Sequence, residues 1–336
     1  MRRVWMDQLK WITILCVVAF HVACMFNSCG MPLGVGAGIP ALDLVGYFTY
    51  PWIMPLMFLL SGMAARYALE RRTPGEFLRA RAGGLLLPLL GVLIFIAPAL
   101  CAFTWWSTGA DFGALPVPVV CLLALLAGMG PAWFLLFLYL YSLVLLPLRG
   151  LDRLWGRRGW PALALTLPVF WLATLALPGP DRYGAYLAAF LMGYWVFSRE
   201  AALERLRRAR LPLALGAGAA FLITTARYWG VSFSAPGFLS DPATVLFAWL
   251  FCLAALGYGQ VRLGTSHPFW EARGFSIFLF HYLPMLVTAV FTTRWGWPSA
   301  VKYALTLAAA LGAPLVLHGL LVRIPPLGRL FRLRTP

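Results

Sequence analysis

Three residues near the start of the chain could do chemistry together. The stretch "DQLKWITILCVVAFH" covers positions 7–21, and it places Asp7, Lys10 and His21 within one apolar run. At about 100° per residue, eleven steps along a helix return to within roughly 20° of the starting direction. Lys10 and His21 then share a face, about 16 Å apart along the axis. Asp7 lies one turn before Lys10 and within pairing reach. An ammonium at a membrane surface attracts anions. An imidazole well inside the apolar layer is costly, faces a bundle interior or a cavity, and can take a proton from a hydroxyl. The spacing therefore reads as an anion-holding mouth with a general base above it. A structural histidine, hydrogen-bonded to a neighbouring helix, remains the other reading of His21.

These residues need long apolar helices to position them, and the composition supplies them. The chain has 336 residues, 62% of them hydrophobic and 11% charged, with mean hydropathy +0.82. Soluble domains carry about 25% charged residues, so this is a polytopic membrane protein. The expected fold class is all-α, an integral membrane helix bundle of about ten spans near 9–29, 43–66, 83–106, 131–148, 160–178, 184–198, 211–230, 243–261, 274–292 and 299–322. The stretch 116–128 is apolar but too short to span, and reads as re-entrant or surface-lying. Residues 198–212, "SREAALERLRRARLP", read as an amphipathic segment among lipid headgroups. No polar block is long enough for a second domain, so residues 1–336 read as one membrane domain.

The net charge of +16 would suggest nucleic acid in a soluble protein. Here it fits the positive-inside rule. With the N-terminus in the cytoplasm, every Lys and Arg falls on the cytoplasmic side except Arg182, Arg227, Arg294 and Lys302. Both termini are expected there, and the first apolar run reads as a retained span rather than a cleaved signal. The six cysteines form no CxxC pair and read as small hydrophobes. No metal-ligand spacing is present. The outer loops hold few charges, among them Asp43, Asp111, Asp181 and Asp241, which hints at an uncharged acceptor.

The opening stretch resembles the acyltransferase-3 family of bacterial membrane O-acyltransferases. Asp7, Leu9 and His21 match its pattern, with Lys10 where the family has arginine. "PLMFLLSGMAARYAL" is similar to the family's second-span signature at Phe58, Ser61 and Gly62. "EFLRARAGGLLLP" resembles its Arg-x-x-Arg segment, with Arg81 at the first arginine and Gly84 at the second. "PAWFLL" matches a Trp-Phe-Leu motif at Trp133 and Phe134, and "FSIFLFHYLP" a late motif with His281. "VRIPPLGRLF" resembles the branch related to glucan succinyltransferases. The resemblance touches nearly the whole chain. It implies transfer of an acyl group of the acetyl or succinyl class from cytoplasmic acyl-CoA, a co-substrate rather than a bound cofactor, to a hydroxyl of a cell-envelope glycan or similar acceptor. It implies a bacterial cell-membrane location. His21 and His281 are the expected catalytic residues, with Lys10, Arg79 and Arg81 holding donor phosphates. Asp7 would fix Lys10. Ser61 with Gly62 would pack helices, and Trp133 would anchor at an interface or stack on sugar. His267 and His318 read as incidental. Any carboxylate that orients His21 must come from another helix. A transporter using the histidine as a proton relay and a non-catalytic envelope scaffold are the alternative readings. The sequence leaves a monomer and a homodimer both open.

Overall fold

The structure is a computed structural model that describes residues 3–29, 38–109, 116–155, 159–176 and 182–333. Arg2, Asp111, Arg157, Arg158, Asp181 and Arg334 lie outside the described residues. Within them the chain is helical, with no strand. In chain order the helices are α1 (Val4–Phe26), α2 (Pro40–Leu69), α3 (Pro74–Ser107), α4 (Val117–Gly128), α5 (Gly130–Leu151), α6 (Gly159–Ala176), α7 (Tyr183–Phe197), α8 (Glu200–Tyr228), α9 (Pro242–Arg262), α10 (Pro268–Phe280), α11 (Tyr282–Thr293), α12 (Ser299–Leu321) and α13 (Pro325–Leu330).

Eight of the helices among the described residues are long and apolar enough to cross a membrane, and α10 with α11, bent by 57°, make up to nine. The short sixth span expected from the sequence is helix α7, apolar but below spanning length by the same measure. The segment 198–212 differs from expectation. It does not form a separate surface helix but runs on through Pro212 as the first half of α8, a single helix of 29 residues. At about 1.5 Å per residue that helix is about 43 Å long, so one end must leave the hydrocarbon. The expected short apolar stretch is α4, whose Gly128 rests on the backbone of Ala97 in α3.

The first helix lies inside the bundle. Its apolar window is 61% buried, against 17% for α8 and 22% for α12, and it touches α2, α9, α10, α11 and α12. Lipid offers no hydrophobic drive between helices, so close backbone contact through small residues must help hold them. The pair α2 and α7 shows this. A Cβ on Gly62 would overlap the carbonyl oxygen of Phe190, and one on Gly193 would overlap that of Leu59. The two glycines let each helix sink into the other, and the packing expected at Gly62 is present.

One end of the bundle collects most of the basic groups, and the ends of several helices are tied there. Arg66 of α2 donates to Asp152 at 2.6 Å, and Arg199 donates to the Asp152 backbone carbonyl at 2.6 Å. Arg3 pairs with Glu200. At the chain's far end α13 closes in a Schellman turn: the Arg332 N–H donates to the Arg329 carbonyl at 3.2 Å and the Leu333 N–H to the Gly328 carbonyl at 2.9 Å. Arg332 occupies the left-handed position with φ 53°, the only non-glycine residue among those described to do so. Glycine suits that position, and an L side chain there costs about 1–2 kcal/mol.

The Gly62 contact meets backbone rather than a movable side chain. Gly62→Val should lower the unfolding temperature of the detergent-solubilised protein by an amount corresponding to about 2 kcal/mol or more. Gly218→Ala, in α8 with nothing within 4 Å of its Cβ, should leave it unchanged in the same thermal scan.

Candidate functional site

A cavity of about 1220 Å³ opens at the basic end of the bundle. Its walls carry five cations, Lys10, Arg72, Arg81, Arg329 and Arg332, against two acids, Asp7 and Glu271. The deeper wall is apolar, from Ile14, Met57, Leu135, Leu138 and Phe275. A charged mouth over an apolar throat suits a ligand with a polyanionic head and a thin, less polar tail.

Local structure sets each cation. Lys10 approaches Asp7 at 3.5 Å on the same face of α1, as the spacing predicts. Arg81 donates to the carbonyl of Ser61 at 3.2 Å and lies 5.3 Å from the Phe77 ring centroid. Ser61 holds it through its backbone, because the Ser61 hydroxyl donates to the Met57 carbonyl at 2.8 Å. Arg79 is exposed and does not line the cavity, whereas Arg72 does. Gly84 is on the wall with nothing within 4 Å of its Cβ, so the side chain missing there leaves open space. Gly84 and Leu85 belong to a π-helical stretch, Ala82–Leu86, a local widening frequent at functional positions.

One wall is built by α1 and α10. Trp11 stacks on Trp270 at 5.5 Å and donates from Nε1 to Gln8 at 2.7 Å; Gln8 in turn donates to Glu271. Glu271 also accepts from the Ser266 hydroxyl at 2.7 Å and the His267 N–H at 3.1 Å. This fixes the acid at the cavity edge. Ser276 lines the cavity and meets His318 Nδ1 at 2.6 Å. His318, read from the sequence as incidental, thus supports the wall.

His21 and His281 meet. His21 Nδ1 is 3.0 Å from His281 Nε2, and the rings lie 5.2 Å apart at 13°. They are 260 positions apart in the chain. His281 sits at the 57° bend between α10 and α11 and is completely buried. The bend turns its Nδ1 back onto two backbone carbonyls, Phe278 at 2.9 Å and Ile277 at 3.0 Å. Carbonyls only accept, so Nδ1 of His281 carries its proton. The neutral ring, favoured where no carboxylate adjoins it among the described residues, then holds a lone pair on Nε2. That lone pair takes the proton of His21 Nδ1. The remaining nitrogen of His21, Nε2, is left with a lone pair. The network therefore leaves His21 Nε2 able to accept a proton. The carboxylate expected to orient His21 is replaced by a second imidazole. Asp43, on α2, accepts instead from the backbone N–H groups of Ser28 at 2.8 Å and Cys29 at 3.3 Å and from the Ser28 hydroxyl, closing the end of α1.

Trp133, half-buried, lies in an aromatic cluster, 5.8 Å from Tyr186 at 27° and 6.2 Å from Phe58. It does not line the cavity, but its neighbour Phe134 does, and Phe134 touches Phe278 at 5.7 Å between ring centroids. By helix rise, Trp133 is about 23 Å from the basic end of α5, and His21 about 26 Å from that of α1. The two are at comparable depth. Sequence reasoning missed Arg72, Glu271, Ser276, Arg329 and Arg332 as cavity residues. The three arginines among them carry the same signal as topology-setting charges.

A family model for an acyltransferase domain, that of the acyltransferase-3 family, matches residues 3–319. The chain belongs to the acyltransferase-3 family. With its apolar helices it is a multi-pass membrane acyltransferase. No curated protein matches the chain, and no solved structure does.

The open wall at Gly84 gives a direct test of the cavity and its sidedness. In a background lacking the natural cysteines, Gly84→Cys should react with a membrane-impermeant maleimide added to one side of sealed vesicles only. The natural Cys252, completely buried, restored alone to the same background should not react from either side.

Proposed function

We propose that the protein moves an acyl group from acyl-CoA, entering at the basic end, to a hydroxyl presented at the opposite end, with His21 as general base. One observation carries this reading. A cavity with five cations at its mouth lies below a pair of imidazoles whose hydrogen bonds leave His21 Nε2 able to accept a proton.

The steps follow from the charges. Acyl-CoA carries several phosphate charges and cannot cross hydrocarbon. Lys10, Arg72 and Arg81 hold the phosphates at the mouth, the arginines able to grip two oxygens at once and the lysine giving a point charge. Asp7 fixes Lys10. The pantetheine arm runs up the apolar throat, whose wall on α1 reaches Ile14, about 10 Å below His21. His21 Nε2 takes the proton of the acceptor hydroxyl as its oxygen bonds to the thioester carbonyl carbon. The tetrahedral intermediate expels the thiolate by breaking the C–S bond, and the proton on His21 passes to that sulfur. His281 does not touch the acyl group; it positions His21 and selects its tautomer. Trp133, at the same depth, offers a face for a sugar ring of the acceptor.

The same reading places the chain in a bacterial cell membrane as one domain with both termini in the cytoplasm. In it α7 and the bent pair α10–α11 each complete a crossing, giving ten. The acceptor is an extracytoplasmic glycan or similar hydroxyl compound, and the C-terminal "VRIPPLGRLF" favours the branch related to glucan succinyltransferases. Arg79 serves as a charge on the cytoplasmic surface rather than as a phosphate ligand.

Purified protein in nanodiscs should release CoA from acetyl-CoA or succinyl-CoA, slowly even without the acceptor. His21→Ala should reduce that rate by about 10²–10⁴-fold with folded yield unchanged. His281→Ala should cost about 10- to 100-fold, and His281→Gln, whose amide oxygen can still accept from His21 Nδ1, less. The double alanine variant should be no slower than His21→Ala alone, because the pair acts as one unit. Turnover that survives His21→Ala places the base elsewhere. Absence of both turnover and CoA binding moves the function to transport or scaffolding.

A further inference from the structure

Arg332 occupies an unusual place for an arginine. It sits at the left-handed position of the turn that ends α13, where glycine is the conformationally favoured residue. The turn is held in place by Phe331, which is 3% exposed and lies 5.1 Å from Phe280 of α10 and 6.3 Å from Phe95 of α3. It fits because Gly91 has no Cβ: one added there would come within 2.6 Å of the Phe331 ring. With Phe331 seated, Arg332 crosses to α3 and donates from Nε to the carbonyl of Gly83 at 2.9 Å. Its guanidinium then lies on the cavity wall against Gly83, whose added Cβ would come within 2.6 Å of Nη2, and one residue further on, at Gly84, the wall has open space. Among the described residues no carboxylate pairs with Arg332 or Arg329. One Nε–H bond to a carbonyl uses one of five guanidinium donors, and the residue lines the cavity with the other four.

We infer that Arg332, clamped by the Phe331 turn, is a phosphate-binding residue of the cytoplasmic mouth and supplies from the far end of the chain the cation that Gly84 does not carry. This rests on the acyl-CoA reading of the cavity. The ligand is a phosphate group of the donor. Arg332 makes the C-terminal turn part of the donor site, closing the mouth between α3 and α10, with Arg329 one turn behind. The conformational strain at position 332 fits this role, since glycine would make the turn more easily but would give no charge.

The geometry offers a variant that removes the guanidinium while relieving the backbone. CoA binding should be measured by calorimetry on the full chain in zwitterionic nanodiscs, free of anionic lipid, together with the unfolding temperature. Arg332→Gly should weaken CoA binding by about tenfold while the unfolding temperature holds or rises. Adding Gly84→Arg to that variant should restore binding to within about threefold, since the open wall lets a second guanidinium reach the same phosphate. In turnover assays the loss should fall on KM for acyl-CoA and leave kcat unchanged, as expected for a group far from the reacting atoms. Equal CoA binding by wild type and Arg332→Gly overturns this inference and leaves the donor reading standing. That outcome would assign Arg332 to lipid headgroup phosphates. A wild type that binds no CoA overturns the donor reading itself. Weakened binding with a lowered unfolding temperature and no restoration by Gly84→Arg makes Arg332 a structural residue and overturns the inference as well.

Discussion

The hydrogen bond between His21 and His281 is the interaction on which the interior of this bundle depends. A polar ring inside an apolar layer is tolerated only when its donors and acceptors are met. Here each ring partly meets the other's needs, and the bend at His281 supplies the rest through two backbone carbonyls. The bond also explains where helices sit. To bring Nδ1 of one ring to Nε2 of the other, α1 must lie at the bundle centre against α10 and α11. The burial of α1, well above that of α8 and α12, follows from that position.

Breaks in the helices follow the same logic. Backbone groups freed from their ladder are affordable in a membrane only where the bundle covers them or they line a cavity. The turn at Tyr50–Trp52 in α2, the π-helical stretches of α3 and α7 and the bend at His281 all fall on helices that wall the site or pack directly against its walls. The long helices α8 and α12, with largely lipid-facing surfaces, each run on as one helix although Pro212 and Pro314 each remove a ladder bond. Irregularity in this protein is concentrated where polar work is done.

Much of the fold could be read from the sequence, because length, apolarity and charge position are membrane requirements acting on each helix alone. The Asp7–Lys10–His21 face was legible for the same reason: it lies on one helix with one period. The meeting of His21 with His281 was not, since nothing local in either segment specifies a partner 260 positions away. That the segment 198–212 is continuous with the span after it was not legible, because a charged stretch carries no local mark of whether a helix runs on past the hydrocarbon once its charged face is solvated. The cationic mouth was half legible. Arg72, Arg329 and Arg332 carry the same sequence signal as charges that only fix orientation. Holding phosphates and obeying the positive-inside rule both demand cations on one membrane face, so only three-dimensional placement separates them. Arg79 and Arg81 show this directly, being two positions apart with one on the exposed surface and the other on the cavity wall.

The balance of charge around the cavity then argues for its division of labour. Asp7 and Glu271 are both tied down, Asp7 beside Lys10 and Glu271 within a chain running through Gln8 to Trp11. The excess positive charge remains concentrated at the mouth, while the throat above it is apolar and ends short of the imidazoles. In the proposed reaction, a ligand drawn in by charge is held by its anionic head at the mouth, and only its uncharged tail approaches His21. Separating the binding energy from the reacting centre in this way keeps the charged groups in water-accessible space and the base in a dry one. It also lets the two halves of the site change independently: substitutions such as Lys10 and Gly84 alter the grip at the mouth without touching the hydrogen bonds that set His21.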